Sequence, residues 1–241
     1  MFAAVLRDAG RQYRRRPLAA VITVVVGGLP VFLNPGDPVL AVPLAVVLLA
    51  AGLLVELFLV AWLAGALDPA PPPAAAVLAT MRGTIGPGVR AGLLRAFYLL
   101  GALMVGVLLF GSRESGPLPQ SEQTKLAVGL WPLFGIAFAF LAVLMQRVVL
   151  GGERRVRQAA TVSHRVASAH FPVCLLIGLL QASGLVLASL VVEFWVLAVL
   201  SILLSLADPY LIGMCNALYL RTRAEQEPAD TGDGSLRPPR R

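Results

Sequence analysis

VCLLIGLLQASGLVLASLVVEFWVLAVLSILLSLADPYLIGMCNALYL, residues Val173 to Leu220, runs for 48 residues with Glu193 and Asp208 as its only charged side chains. A single helix of that length would measure roughly 72 Å at about 1.5 Å per residue, against a hydrocarbon core of about 30 Å. One bilayer crossing does not hold it. A reversal at Glu193, where a carboxylate can sit at the membrane interface, divides the stretch into two spans, 173–192 and 194–220.

Working outward, four more apolar runs have a similar length: Pro17 to Leu33, Val39 to Ala66, Ala91 to Gly111 and Ala127 to Leu150. The whole chain of 241 residues is 58% hydrophobic and 14% charged, whereas a soluble domain needs about a quarter of its residues charged to cover its surface. The expected fold is therefore all-α: a polytopic transmembrane helical bundle of six spans over residues 1–223, followed by a polar, Gly/Pro-rich and disordered cytoplasmic tail over 224–241. The first run follows a basic stretch and ends in Phe32-Leu33-Asn34-Pro35 without a small-x-small cleavage pattern, which reads as an uncleaved signal anchor.

Orientation follows from the basic residues. One set of connections carries Arg7, Arg11, Arg14, Arg15 and Arg16; Arg82, Arg90 and Arg95; Arg147, Arg154, Arg155, Arg157 and Arg165; and Arg221, Arg223, Arg237, Arg240 and Arg241. The other set carries Arg113 and Lys125, offset by Glu114 and Glu122. The positive-inside rule then places both termini in the cytoplasm, and the Arg-for-Lys and Ala/Val/Leu bias suggests a bacterial inner (cytoplasmic) membrane. A formal charge of +7 held in short loops between spans marks topology, and nucleic acid is not an expected partner.

The cytoplasmic segments resemble one another. Ala3-Ala4-Val5-Leu6, Ala75-Ala76-Val77-Leu78 and Ala159-Ala160-Thr161-Val162 each open a short amphipathic stretch, and Pro17, Pro87 or Pro172 follows about a dozen residues later, ahead of a span. The pattern predicts three transmembrane hairpins, each preceded by a short cytoplasmic interfacial helix. In the first, Phe2, Leu6, Ala9 and Tyr13 share an apolar face and Arg7, Arg11, Arg14 and Arg15 a basic one. With the exit Leu218-Tyr219-Leu220-Arg221-Thr222-Arg223, this layout resembles a group of bacterial six-pass proteins of unknown function that includes the membrane domain associated with glycerophosphodiester phosphodiesterases. The resemblance implies the membrane layout. The spans occupy the chain, so it implies no phosphodiesterase activity here.

Charges inside spans cost about 2.5–3.5 kcal/mol each near a helix centre, so each needs a reason. Arg95 and Arg147 lie near cytoplasmic ends and are expected to snorkel. Glu56 and Asp208 lie eleven or twelve residues from the cytoplasmic ends of their spans, at matching depth, and form the candidate intramembrane polar or ion-coupling site. Pro209 frees backbone carbonyls one turn earlier and permits a bend beside Asp208. The bland alternative has both acids neutral or hydrogen-bonded to Ser201, Ser205, Asn216 or backbone, and a further one has them paired with Arg95. Arg14, Arg15, Arg16, Arg154, Arg155 and Arg157 are candidate lipid-headgroup contacts. Gly101, Gly106, Gly178, Gly184, Ala182 and Ala188 suit close helix packing, and Gln146 and Gln181 suit interhelical hydrogen bonds.

No catalytic, cofactor or metal motif is present: there is no Gly-x-Ser-x-Gly, His-Glu-x-x-His, Gly-x-x-x-x-Gly-Lys or Cys-x-x-Cys. His164 and His170 are six residues apart and fall on different helix faces, and Cys174 and Cys215 read as small buried apolar side chains. Three functions from different classes fit. The leading expectation is a non-enzymatic membrane protein acting through partner proteins or lipids at its cytoplasmic face. The second is a transporter or a permease subunit coupled to a separately encoded ATPase, and the third, least supported, is an intramembrane enzyme.

Overall fold

An apolar run with no water to solvate its backbone satisfies its own N–H and C=O groups only as a helix. The computed structural model, which describes residues 1–28, 38–110, 120–190 and 194–226, is helical accordingly, with no strand among the described residues. The elements are α1 (Phe2–Arg15), α2 (Leu18–Thr23) with a π-helical turn Val24–Gly28, α3 (Pro38–Ala64) ending in a 3-10 turn, α4 (Ala74–Met81) and α5 (Ile85–Phe110). They continue with α6 (Gln120–Phe140), α7 (Leu144–Val149), α8 (Val156–Ala169), α9 (Phe171–Leu190) and α10 (Phe194–Gln226). Four segments are long and apolar enough to cross a membrane, and a fifth is counted if the bent pair α8–α9 forms one span. The chain is thus a multi-pass helical membrane protein. The expected reversal at Glu193, the turn at 34–37, the start of the third connection and the tail from 227 onward lie outside the described residues.

At three places an amphipathic or short helix breaks and an apolar helix follows. The breaks fall at Arg16, at 82–84 and at His170, and Pro17, Pro87 and Pro172 each stand at or within the first turn of the helix after them. Proline is tolerated there because first-turn N–H groups have no intrahelical partner to lose. The third break turns the chain through 110°. In each short helix a narrow stripe is buried: Val5, Ala9 and Gln12 in α1, Val77 and Met81 in α4, and Ala159, Ser163, Val166 and Ala167 in α8.

The buried face of α1 is rotated from the one its composition suggests. Val5, Ala9 and Gln12 form its centre, with Phe2 and Leu6 packed beside them. Small side chains explain the shift, because a Cβ on Gly213 of α10 would stand 3.3 Å from the Ala9 Cα, so the two helices nearly touch. Gln12 is buried because it is satisfied: its Nε2 donates to the Gly213 carbonyl at 3.2 Å and its Oε1 accepts from Asn216 Nδ2 at 3.2 Å. Asn216 also donates to the Val60 carbonyl at 3.0 Å, tying α1, α3 and α10 together.

Helix α10 is the axis of the bundle, touching α1, α2, α3, α7 and α9, while α6 lies along α9. A Cβ on Gly178 would meet the Gly135 carbonyl oxygen and the Ala139 nitrogen, so α6 and α9 approach backbone to backbone; Gly106 similarly faces Leu130, and Ala182 is buried. Gly184 sits at ordinary contact distance from Leu204, and Gly101 faces open space, contrary to its expected packing role. The side chain of Ala188 lies outside the described set. α6 does not continue straight to Leu150 but breaks at 141–143. There the Ser163 hydroxyl of α8 donates to the Phe140 carbonyl at 2.8 Å and accepts from the Val143 N–H at 3.3 Å, taking over bonds of the helix ladder. Polar contacts gather at one end of the bundle. Arg221 pairs with Asp8, Arg147 reaches the Tyr219 hydroxyl at 3.3 Å and Glu153 at 3.7 Å, and Arg15 donates to the Ala66 carbonyl at 2.7 Å. A fully buried layer including Leu63, Leu144, Met214 and Leu218 packs toward this arginine-bearing end.

Candidate functional site

Beyond that layer, between the Ser201–Ile212 part of α10 and the Gly52–Leu59 part of α3, the helices part around a cavity of about 730 Å³. Every long apolar helix lines it: α2 and its π turn through Thr23 and Gly27, α3 through Glu56, α5 through Arg95, α6 through Phe138, α9 through Gln181, and α10 through Ser205 and Asp208. Glu56 and Asp208 therefore meet in one chamber although 152 residues separate them along the chain.

The two carboxylates are in different situations. Glu56 is held by Arg95, whose Nη1 donates to Oε1 at 2.6 Å while Nη2 donates to Oε2. Arg95 does not snorkel. Its guanidinium turns into the bundle because the fork geometry of arginine matches a carboxylate across the α3–α5 contact, and a paired charge is far cheaper at this depth than a lone one. Asp208 feels the fields of Glu56 and Arg95 but has no hydrogen bond or ion pair among the described residues, and its side chain is exposed to the cavity. Asn216, one expected partner for the acids, is engaged with Gln12 and Val60 instead.

Pro209 supplies the local geometry. Lacking an N–H, it leaves the carbonyl of Ser205, four residues earlier, without its helical donor. The Thr23 hydroxyl donates to that carbonyl at 2.6 Å, and the Ser201 hydroxyl reaches the Gly27 carbonyl at 3.4 Å. These bonds fasten the π turn of the first apolar helix to α10 at the rim of the cavity. On the opposite side Tyr210, also a lining residue, donates to the Leu6 carbonyl of α1 at 3.3 Å and meets the Tyr13 ring edge-on. The cavity is thus connected to the outermost helix by one side chain.

The candidate headgroup arginines divide. Arg14, Arg154, Arg155 and Arg157 are exposed at the arginine-bearing end. Arg15 is tied to the Ala66 carbonyl, and Arg16 donates to the Pro72 carbonyl at 2.8 Å and lies over the Trp62 ring at 5.1 Å, so Arg16 fastens α1 to the α3–α4 connection and is not a free headgroup contact. His164 sits between Tyr98 and Phe140, with Nε2 3.2 Å from the Tyr98 hydroxyl, while His170 lies 3.8 Å from Glu225. No group of three metal-ligating side chains forms among the described residues, and both cysteines are buried and free.

Pairing with Arg95, one of the alternatives open for the two acids, is what holds Glu56, while Thr23 as the partner of the proline-freed carbonyl was not anticipated from the sequence. The Thr23 contact had a signal, because position 205 is where Pro209 removes a donor; choosing Arg95 required knowing that α5 packs on α3. No protein-family profile, curated protein or solved structure matches this chain.

Proposed function

We propose that this chain is a six-span, non-enzymatic protein of a bacterial inner membrane, both termini cytoplasmic, that binds and carries a small solute through its central cavity. The observation that carries the reading is the cavity itself: all the long apolar helices converge on a chamber of about 730 Å³ lined by Glu56, Arg95 and Asp208. That volume is in the usual range for small-molecule sites, roughly 300–1,000 Å³. Charge kept inside a membrane bundle costs stability, and solute binding is the return for it. On this reading the buried layer packed toward the arginine-bearing end is the closed side, as in a carrier resting in one of its two access states.

Six crossings are supported by parity. The Arg221–Asp8 pair holds the start of the chain against the end of α10, so the number of crossings between them is even. The four clear spans and α9 make five, with α8, set at 110° to α9, not counted as a crossing of its own. The short apolar helix Leu18–Gly28 then supplies the sixth.

Thermal shift of the purified protein against a panel of cationic, anionic, zwitterionic and neutral solutes tests the carrier reading. At least one class should raise the melting temperature. Gly52→Phe, which fills the cavity from a position with nothing within 4 Å of an added Cβ, should abolish the shift while the variant itself stays folded. A wild-type protein indifferent to every class would sink the reading. A second reading, contact with partner membrane proteins or anionic lipid, is favoured by the exposure of Arg14, Arg154, Arg155 and Arg157 on one end of the bundle. It predicts partner capture lost when these four are replaced by Gln, with the melting temperature unchanged.

A further inference from the structure

Resting on the carrier reading, we infer that the cavity takes a lipophilic organic monocation and that Asp208 is its counter-charge. The charge inventory of the chamber leads there. Glu56 and Arg95 neutralise one another in a two-point pair, so neither offers a free charge to a solute. Asp208 remains, a carboxylate without an ion-pair partner among the described residues, exposed to the same space. The chamber is short of one positive charge, and the solute supplies it.

The walls decide which kind of cation. A hard metal cation needs about six oxygen ligands in place of its water shell. Here the Glu56 carboxylate is taken by Arg95, the Ser183 hydroxyl oxygen already accepts from Trp131, and no group of three His, Cys, Asp or Glu side chains exists among the described residues. Most of the surface is apolar, from Val55, Leu59, Phe138, Leu180, Leu204 and Leu211. A bare alkali ion would lose its hydration against such walls without replacement. A cation whose charge is carried on an apolar body buries that body here, sets its positive centre beside Asp208 and has the Phe138 ring within the same chamber as an additional attractive face. Gln181, also on the wall, offers an amide to any N–H or oxygen the body carries.

Equilibrium binding to the full-length protein in detergent is measured with three probes of matched shape: tetraphenylphosphonium, tetraphenylborate and neutral tetraphenylsilane. The phosphonium should bind most tightly, and Asp208→Asn should weaken it about thirtyfold or more, as expected for deleting one partner of a desolvated charge pair. The neutral probe should be held by both proteins alike, and Asp208→Glu should recover most of the phosphonium affinity. Preference for the borate or the neutral probe in the wild type, which needs no variant to fold, overturns the inference. So does an unchanged phosphonium affinity in a folded Asp208→Asn protein. In either case binding of some solute, lost in Gly52→Phe, leaves the carrier reading standing, whereas indifference of the wild type to all solutes removes both.

Discussion

At the scale of single residues, the Glu56–Arg95 pair and the lone Asp208 show how a membrane bundle sorts its charges. A bidentate pair is tolerated because each partner replaces the water the other has lost, and the net worth of such a pair against apolar residues is small. Removing one partner is another matter. Glu56→Gln or Arg95→Met alone should destabilise the protein by about 1–3 kcal/mol, less than for a fully enclosed pair because both side chains retain access to the cavity. The double variant should return to within about 1 kcal/mol of the wild type, and a double-mutant cycle of unfolding in detergent reads the difference. Additive single effects would show that the two side chains do not depend on each other. Asp208→Asn, by contrast, removes an unpaired charge and should leave stability unchanged or raised.

At the scale of elements, α10 runs unbroken through Pro209, and a neighbouring helix takes up the acceptor that the proline frees. The Ser205 carbonyl, orphaned by the proline, takes the Thr23 hydroxyl, which makes the first apolar helix part of the cavity wall. Thr23→Val should cost about 1 kcal/mol in the native background, the usual net worth of a hydrogen bond whose loss strands a buried acceptor. In a Pro209→Ala background the helix supplies its own N–H to that carbonyl, so the same substitution should cost markedly less; an equal cost in both backgrounds would dissociate Thr23 from the proline. The short helices are elements of a second kind. Cysteine labelling across residues 153–170 should follow a period near 3.6, with positions 159, 163, 166 and 167 protected, because α8 turns that stripe inward and its remaining face outward. Uniform labelling would mean that α8 is not packed as a helix on the bundle.

At the scale of the whole molecule, the arginine asymmetry and the packing agree about which ends belong together. Connections 1–16, 66–84 and 221–226 are joined through pairs such as Arg221 with Asp8 and Arg15 with the Ala66 carbonyl. Reporter fusions at the two termini should therefore report the same compartment, the cytoplasm. Termini on opposite sides would require an odd number of crossings and would remove α2 with its π turn from the spans. The loosely packed outer surface of α5, where only 6% of the apolar window is buried inside the bundle, is what a lipid-facing helix presents.

Much of this was legible in the chain. The helical fold class, the long apolar helices and the break-and-proline openings follow from local quantities: run length, composition and the position of proline within a run. Physics ties each of these to the bilayer, which imposes the same length and charge rules on any segment that enters it. Which helix stands beside which was not legible, because the bilayer is indifferent to it. The turning inward of Arg95, the meeting of Thr23 with the Ser205 carbonyl, the rotation of α1 onto Gly213, the capture of Arg16 by Trp62 and the Pro72 carbonyl, and the break of α6 by Ser163 each depend on a contact between distant residues. Such contacts are chosen by shape and by the demand that every buried polar group find a partner. The sequence therefore determined that two carboxylates fall inside apolar helical runs; only the tertiary structure decided that one is paired and the other left facing an open chamber.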